Sequence, residues 1–420
     1  MLDPNRIREH PEELRKTLAK RGMAASLADD FFEVDGQWRT ALVMLETGRA
    51  KLNQLSRERN IEEAKRVKMS LGEQEENAKV LAQKRDELLV QFPNIPAEDV
   101  PVGKDETANV VVRTWPKGAP KKGGKEYLEI ATSLGLIDVE RAGKVAGSRF
   151  GYLLREAALL EFALVRYAFD VLTKEGFIPV VPPVMVKPEH LIGMGKKKFI
   201  DYHDAFFLAE DNLYLAGTSE HTIGAMHADE TFAETDLPRR YAGFSTCFRR
   251  EAGSYGKDTK GILRVHQFDK VEMFSLVAPE QSEAEHQLML SLQEKLMQAL
   301  KLPYQVVANA TGDMGFGDYK QFDIETWLPG TGKYRETQSC SNTTDYQARG
   351  LKIRYKPAIG DLRSGSRFVH TLNGTAFAIG RILIAIIENY QQADGSVKVP
   401  EVLVPYSGFS EIRPRLTEHS

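Results

Sequence analysis

The sequence contains very little cysteine for its length. Only Cys247 and Cys340 occur among 420 residues, which is too few for a cysteine metal cluster and favours a reducing compartment over a disulfide scaffold. No apolar run approaches the roughly 20 residues that a membrane-spanning helix needs. The first ten residues, MLDPNRIREH, carry charge from the third position onward. We therefore expect no signal peptide and a cytoplasmic protein.

Common motifs for nucleotides and transition metals are also missing. The sequence has no G-x-x-x-x-G-K-[ST] phosphate loop and no H-E-x-x-H or C-x-x-C metal motif. A bound nucleotide would therefore be held without a P-loop, and any metal is expected to be a hard cation, which suggests Mg²⁺. The formal net charge is only −3, so a surface that binds nucleic acid has to be local.

The N-terminal third contains two long heptad seams. Apolar residues recur at spacings of three and four over residues 31–55 and again over residues 67–92. We predict two helices of about 28 residues, each about 40 Å long, paired as an antiparallel arm over about residues 28–92. Asn60 and Glu63 between them form a possible capping box. A small amphipathic helix is expected before the arm, over residues 2–22.

The predicted arm has an imperfect seam and a basic tip. Gly48, Gln74 and Arg85 occupy seam positions and should weaken the pairing, since Gly costs roughly 1 kcal/mol relative to Ala inside a helix. The basic residues at the tip are Arg57, Arg59, Lys65, Arg66 and Lys68. Such a cluster is usually a solvated helix end, and a site for RNA phosphates is the alternative.

Residues 244–274 are the most informative part of the chain. One β-type run ends at Arg249, Arg250 and Glu251, and a second carries Arg264, Val265, Phe268 and Glu272. The residues between the runs are rich in Gly, Ser and Asp and indicate a mobile loop. Arginine forks match phosphates and carboxylates, a phenylalanine can stack on a base, and a carboxylate can pair with an ammonium. A hairpin with surface salt bridges is the alternative.

Four further segments carry a pattern. A helix over residues 156–174 runs into GFIPVVPP, and the segment LAGTSEH places Thr218, Ser219 and Glu220 after an apolar strand. The strand ETQSCSN holds Glu336, Thr337, Gln338 and Ser339, and the turn NGTAFAIGR holds Asn373, Thr375 and Arg381. Taken alone, these fit a core or interface helix, a helix N-cap, a strand with a polar face, and a core helix with an incidental arginine.

Together these segments resemble the class II aminoacyl-tRNA synthetases and, in detail, the seryl-tRNA synthetases. The resemblance rests on F-R-R-E followed by R-V-H-Q-F-x-K-x-E, on the T-S-E, E-x-x-S-C-S and NGTAFAIGR segments in order, and on the arm. It implies an α+β fold in which an antiparallel β-sheet flanked by helices carries motifs 1, 2 and 3. It also implies an N-terminal tRNA-binding domain over residues 1–105, with the coiled-coil arm, and a catalytic domain over residues 106–420. The family's Pro-His pair near residue 125 is missing.

The resemblance also implies roles for individual residues. ATP contacts are expected from Arg249, Arg250, Glu251, Arg264, Val265, Phe268, Glu336, Thr337, Gln338, Ser339 and Arg381. Serine contacts are expected from Thr218, Ser219, Glu220, Arg249, Glu272, Asn373 and Thr375. Arg249 and Arg381 are the expected catalytic residues, Glu336 and Ser339 the expected Mg²⁺ ligands, and the five basic tip residues the expected tRNA contacts.

The implied activity is that of a serine–tRNA ligase. It would use ATP to activate L-serine as seryl-adenylate and pass the seryl group to tRNA(Ser); whether tRNA(Sec) is also charged stays open, and a homodimer is expected. Two alternatives remain at this point. One is a related enzyme that loads an activated amino acid onto a carrier protein, a class that lacks the long arm. The other is an inactive binding protein, which would be expected to lose some of Arg249, Glu272, Glu336 and Arg381; this sequence keeps all four.

Overall fold

The computed structural model describes residues 1–252, 260–358 and 365–414, which fall into two compact units, Met1–Ile95 and Pro96–Ser420. Most of the Gly-, Ser- and Asp-rich loop expected within the 244–274 segment lies outside the described residues. None of the helices in the described part of the chain is both long enough and apolar enough to cross a bilayer.

The N-terminal unit is entirely helical over its described elements. Its helices are α1 (Pro4–Glu9), α2 (Pro11–Lys20), α3 (Ser26–Arg57) and α4 (Ile61–Leu89). Helices α3 and α4 have 32 and 29 residues, close to the predicted 28, and they pair as the expected antiparallel arm. The single helix expected over residues 2–22 is instead two helices, because Pro11 has no N–H to continue the α1 ladder and starts α2 at its first position.

The arm is held together along the predicted seams. Ala41 and Leu45 of α3 pack with Leu71 and Ala78 of α4 as a buried cluster. Gly48 has a positive role there, because a Cβ at this position would lie 2.7 Å from Leu71 Cδ2. The glycine therefore costs helix propensity but permits a close approach of the two helices.

Arg85 in the seam and Asn60 between the two helices act through polar groups. The guanidinium of Arg85 lies over the ring of Trp38, 3.9 Å from its centroid, so its stem and charge are both used in packing. The side chain of Asn60 accepts a hydrogen bond from the backbone N–H of Glu63 at 3.3 Å and caps the first turn of α4.

The C-terminal unit is built on an antiparallel sheet. Its helices are α5 (Tyr127–Ser133), α6 (Val139–Ala146), α7 (Glu156–Lys174), α8 (Pro188–Gly193), α9 (Lys197–Asp201), α10 (Glu220–Ala225), α11 (Ser282–Ala299), α12 (Tyr346–Leu351), α13 (Ile379–Asn389) and α14 (Val404–Ser407). Its strands are β1 (Val110–Trp115), β2 (Ile137–Asp138), β3 (Tyr152–Leu153), β4 (Ile178–Val180), β5 (Met185–Val186), β6 (Phe207–Leu208), β7 (Leu213–Leu215), β8 (Thr231–Ala233), β9 (Arg239–Phe248), β10 (Gln267–Val277), β11 (Tyr304–Ala308), β12 (Lys320–Leu328), β13 (Lys333–Asn342), β14 (Arg354–Lys356), β15 (Arg367–Phe368), β16 (His370–Ala378), β17 (Val397–Lys398) and β18 (Glu411–Ile412).

The largest sheet has eight strands in the order β1-β11-β12-β13-β16-β10-β9-β4. Every pairing is antiparallel except that of β4 with β9. Helices α7, α11 and α13 supply most of the apolar residues that cover the sheet. The α+β architecture expected from the sequence is therefore confirmed.

Register in this sheet brings distant segments together. Glu272 on β10 lies opposite Thr375 on β16 and Gly243 on β9. A Cβ at Gly243 would lie 2.9 Å from the hydroxyl oxygen of Ser219, so the glycine lets the start of α10 settle directly on the sheet. Segments that are far apart in the sequence thus meet at the middle of β10.

Candidate active site

The β9–β10 hairpin holds its arginines just beyond the strand ends. Arg249 follows β9, and its backbone N–H donates to the carbonyl of His266 at 3.0 Å. The ring nitrogen Nδ1 of His266 lies 3.0 Å from the carbonyl oxygen of Arg249. These contacts extend the pairing past the last ladder residues, so Arg249 and Arg264 are fixed by strands although neither belongs to one.

A cavity of about 750 Å³ opens above this hairpin. Its size suits a ligand such as a nucleotide. The sequence-predicted residues that line it are Arg249, Glu251, Arg264, Val265, Phe268, Glu336, Thr337, Ser339, Thr375 and Arg381. They come from the β9–β10 hairpin and the segments just beyond its strand ends, from β13, from β16 and from the first turn of α13.

Two ion pairs occupy the outer wall of the cavity. Arg264 donates to Glu251 at 2.9 Å, and Arg381 lies 3.2 Å from a carboxylate oxygen of Glu336. Burial would raise the pKa of Glu336, but Arg381, with help from Arg249, brings it below its ordinary value. This wall therefore combines fixed positive charge with an ionised carboxylate.

Arg249 lies between the outer wall and the inner end. Its Nε donates to the carbonyl of Gly217 at 3.1 Å, and its guanidinium lies 5.5 Å from the ring centroid of Phe268. The hydrogen bond uses only one edge of the guanidinium. Arg249 lines the cavity, and a planar guanidinium fork can bridge two anionic groups there.

Lys270 and Thr375 line one end of the cavity, called the inner end here, and Glu272 lies behind them on β10. Its carboxylate is 1% exposed, lies 2.5 Å from the ammonium of Lys270 and accepts a hydrogen bond from the hydroxyl of Thr375 at 3.0 Å. Burial raises the pKa of Glu272 in spite of Lys270, and the neighbouring charge of Glu220 adds to the rise. This carboxyl group is therefore able to hold a proton more easily than an ordinary glutamate.

Glu220 is a second buried carboxylate beside the first. Its Oε1 accepts from Lys196 at 3.0 Å, from the amide of Gln347 at 2.8 Å and from the amide of Asn373 at 3.3 Å. Burial would raise the pKa of Glu220, but Lys196 and other nearby cations hold it at about 2. Asn373 and Thr375 therefore connect one strand, β16, to both carboxylates.

Four predicted residues face away from the cavity or are committed to other partners. Arg250 donates to the carbonyl of Ala205 and lies over Phe206, since it has the opposite strand parity from Arg249. The hydroxyl of Ser219 donates to the carbonyl of Gly243.

Thr218 and Gln338 are the other two. The hydroxyl of Thr218 accepts from the N–H of Glu220 at 3.3 Å, whereas Ser219, the residue at the N-cap of α10, makes no side-chain cap hydrogen bond. The amide of Gln338 donates to the carbonyl of Ala376 at 2.7 Å. Thr218 is buried. Its hydrogen bond to Glu220 keeps it next to the inner end of the cavity.

Three lysines at the site were not selected from the sequence. Lys198 and Lys270 line the cavity, and Lys196 pairs with Glu220. The run GMGKKKF over residues 193–199 was the available signal, because consecutive lysines after two glycines are unusual on a helix end. Nothing in that run indicated which of its lysines would turn inward.

The basic tip of the arm lies in the N-terminal unit. All five residues, Arg57, Arg59, Lys65, Arg66 and Lys68, are exposed. Arg59 adopts a positive φ of 57° in the turn between the two helices. Their exposure makes the side chains available to an anionic partner.

Solved structures of the same architecture include two with nucleotides. The crystal structure of seryl-tRNA synthetase from Pyrococcus horikoshii complexed with ATP matches with a TM-score of 0.92 and 40% identity, covering 99% of this chain and 100% of that chain. The cytoplasmic serine–tRNA ligase from Naegleria fowleri in complex with AMP matches with a TM-score of 0.89 and 34% identity, covering 99% of each chain.

Sequence comparisons point the same way. Residues 1–96 match the family model of the seryl-tRNA synthetase N-terminal domain, and residues 207–390 match that of the class II tRNA synthetase core domain (G, H, P, S and T). The serine–tRNA ligase of Thermococcus sibiricus is 41% identical, and that of Pyrococcus horikoshii is 42% identical. Each alignment covers 99% of this chain and 98% of the relative. The chain belongs to the serine–tRNA ligase family of class II aminoacyl-tRNA synthetases.

Proposed function

We propose that this chain activates L-serine with ATP and transfers the seryl group to tRNA(Ser). The observation that carries the proposal is the set of groups gathered around one cavity. Its lining includes Arg249, Arg264, Phe268, Glu336, Thr375 and Arg381, and the buried Glu272 accepts a hydrogen bond from Thr375 directly behind that lining. These groups suit a triphosphate, an adenine ring, and a small amino acid with a hydroxyl group.

In the activation step a serine carboxylate oxygen attacks the α-phosphorus of ATP in line. A P–O bond forms, the bond to the bridging oxygen breaks, and pyrophosphate leaves. Chemistry of this kind needs positioning and charge neutralisation rather than a protein nucleophile. Arg249 bridges the serine carboxylate and the α-phosphate, because it lines the cavity and its planar fork can contact two anionic groups. In the second step the terminal ribose hydroxyl of the tRNA attacks the acyl carbon, and AMP leaves.

The nucleotide is held by an aromatic face and by arginines. Phe268 stacks on adenine, Glu251 contacts the adenosine, and Arg264 and Arg381 neutralise the outer phosphates. Backbone groups at Val265 and polar groups at Thr337 lie along the same wall. When ATP binds, Arg264 and Arg381 have to exchange their ion pairs with glutamate for contacts to phosphate. The net cost of this exchange is small, because both kinds of contact are charge-assisted hydrogen bonds.

The reaction implies Mg²⁺, and the residues present fit it. Glu336 is ionised because its pKa is lowered, and the Ser339 hydroxyl lines the same cavity; both are hard oxygen donors. Within the described ranges, no group of three or more His, Cys, Asp or Glu side chains converges as a metal site, so phosphate oxygens would complete the ligand set. Such an ion would neutralise phosphate charge.

Serine occupies the inner end in this proposal. Glu220, ionised and buried, takes the ammonium with Thr218 beside it, and Glu272 with Thr375 and Asn373 surrounds the hydroxyl. A site that pairs buried polar groups with a substrate hydroxyl rejects the analogue that lacks it by about 10⁴-fold. Alanine is therefore excluded by unpaired polar groups and threonine by the limited space.

The direct test is ATP–pyrophosphate exchange measured with each of the 20 amino acids in turn as the substrate. Serine alone should support rapid exchange, and Arg249→Ala should nearly abolish it. Arg113→Ala removes a surface arginine that pairs with Glu294 and serves as the control. Exchange that prefers another amino acid, or an Arg249→Ala variant with the parent rate, would overturn the proposal.

The N-terminal unit, Met1–Ile95, is the proposed tRNA-binding part; it ends ten residues before the boundary of 105 expected from the sequence. Its exposed basic tip suits backbone contacts to a folded RNA, which are read by shape. Replacing residues 40–75 by a short turn should leave pyrophosphate exchange intact and abolish seryl transfer to tRNA. If the truncated chain instead charges tRNA normally, the arm has no RNA role. A purified carrier protein as acceptor tests the carrier-loading alternative, which the long arm disfavours.

We further propose a homodimer that works in the cytoplasm. Helix α7 exposes Leu159 and Phe162, which are 53% and 64% exposed, and Val181 beyond it is 77% exposed; exposed large apolar side chains suit a subunit interface when they lie together. Both cysteines are free and buried, as a reducing compartment favours. Light scattering should give about twice the 47.1 kDa chain mass, and Phe162→Glu should shift it toward the monomer.

A further inference from the structure

We propose that Lys196 is a positioning residue of the serine site, which keeps Glu220 charged in its buried position so that this carboxylate can receive the substrate ammonium throughout the working pH range. The inference rests on the proposed function, since it assumes that serine occupies the inner end of the cavity.

The backbone fixes Lys196 at the edge of the site. Gly195 adopts a φ of 73°, and a Cβ there would lie 2.6 Å from the ring of Tyr346. This close approach turns the chain sharply after α8 and directs Lys196 toward Glu220, 3.0 Å away. The side chain of Lys196 is 29% exposed and that of Glu220 only 5%. The side chain of Lys196 is therefore partly in contact with solvent while it pairs with a buried carboxylate.

The hydrogen bonds to Glu220 leave one oxygen for a ligand. All three donors that it receives from the described residues, Lys196, Gln347 and Asn373, reach Oε1. The orientation of Gln347 is fixed, because its amide oxygen accepts from the Thr371 hydroxyl at 2.8 Å. Oε2 thus keeps its capacity as an acceptor for an ammonium group.

Among these three donors only Lys196 carries charge. Other charged or titratable groups also act on the pair, and they are His221, Arg249, Lys270, Glu272 and Asp318. Burial would raise the pKa of Glu220, and Lys196 is the largest influence that lowers it, to about 2. Burial opposes the charged form of Lys196 as well, yet Glu220 and then Asp318 raise its pKa. His221 is neutral near pH 7, because burial and Lys196 lower its pKa to about 3.

Glu272 provides an internal comparison. It too has a lysine at close range, Lys270, and a hydroxyl donor, Thr375. Its pKa is nevertheless raised, so a single cation does not ensure ionisation at this depth. Glu220 differs in having three donors on one oxygen and a partly solvated lysine. Without Lys196, Glu220 should behave as Glu272 does.

The experiment measures KM for serine in ATP–pyrophosphate exchange with the full chain at pH 6, 7 and 8. For Lys196→Met we expect KM to rise about tenfold from pH 8 to pH 6, because the buried carboxyl of Glu220, deprived of its cation, has a raised pKa and takes up a proton as the pH falls. The parent should show no comparable rise. The kcat at saturating serine should stay within about twofold, since Lys196 does not contact the reacting atoms, and Lys196→Arg should restore the parent profile.

Lys197→Met is the matched control. Lys197 is 32% exposed and pairs with Asp201 at 2.7 Å, and it belongs to the same lysine run. A pH-independent loss of activity in Lys196→Met, or an equal pH response in Lys197→Met, would overturn the inference. If Lys196→Met does not fold, Lys196→Gln, which keeps a donor without charge, must give the same pH response. A parent chain without serine-dependent exchange at any pH would instead refute the proposed function.

Discussion

Substitution of Thr375 by Val should reduce the ability of the enzyme to distinguish serine from alanine. The change keeps the shape of the side chain and removes the hydroxyl that donates to Glu272 at 3.0 Å. Glu272 is 1% exposed, so water cannot replace the lost donor. A hydrogen bond to a charged group contributes about 1.5–3 kcal/mol, which corresponds to roughly a 10- to 100-fold change in an equilibrium.

The expected loss falls on one substrate. Glu272 without its donor should hold a proton more readily and present a poorer partner to the serine hydroxyl, so kcat/KM for serine should fall by roughly 10- to 100-fold. Alanine has no hydroxyl, and its low kcat/KM should change little. The ratio of the two values, measured by pyrophosphate exchange at pH 7.5, should therefore fall by the same factor.

The chain contains a closely matched control. Ser275, on the same strand as Glu272, donates its hydroxyl at 2.8 Å to Glu285, a buried carboxylate that pairs with Arg240 at 2.6 Å. Ser275→Ala removes an equivalent bond outside the cavity and should lower Tm without altering the serine-to-alanine ratio. If Thr375→Val lowers Tm as Ser275→Ala does and keeps the parent ratio, Thr375 and Glu272 have only a structural role.

Three further predictions concern the metal, pH and the arm. Glu336→Gln should raise the Mg²⁺ concentration needed for half-maximal exchange by at least tenfold, and it should change Tm by less than about 2 °C. An unchanged Mg²⁺ titration would exclude Glu336 as a ligand. The folded-state pKa of Glu220 is depressed to about 2, so its contribution to stability, about 3 kcal/mol, is present above the unfolded pKa near 4.3 and is lost as pH falls toward 2. Urea unfolding at pH 5 and pH 3 should show a smaller pH dependence for Glu220→Gln than for the parent; an identical dependence would contradict the assignment. Asn60→Ala removes the cap on Glu63 and should destabilise the isolated arm by about 1 kcal/mol in thermal unfolding, with exchange activity unaffected; an arm of unchanged stability would show that the cap contributes nothing.

The arm could be predicted almost completely because its information is local. Heptad spacing specifies which residues of each helix face the partner, and Ala41, Leu45, Leu71 and Ala78 are buried as the seams require. Gly48 was expected to weaken the pairing, and the structure adds that it leaves room for the end of the Leu71 side chain. Propensity describes a single helix, and only the position of the second helix reveals the steric requirement.

The candidate site could be predicted in outline. The segment order identified Arg249, Phe268, Glu336 and Arg381, and the structure brings all four to one cavity. Arg250 was expected there as well and packs on Phe206 instead, because neighbouring residues at a strand end point in opposite directions. A residue type and its place in a motif do not specify which way the side chain faces.

The sequence alone determined the family resemblance, the α+β class, the arm and the set of residues that carry chemistry, because these depend on residue identity and on short-range periodicity. The tertiary structure decided which of those residues meet and in which ionisation state. Glu220 and Glu272 are the same residue type, yet the pKa of one is held at about 2 and that of the other is raised. The difference arises from the solvent that folding removes around both carboxylates and from the cations that folding places beside them, above all Lys196 beside Glu220.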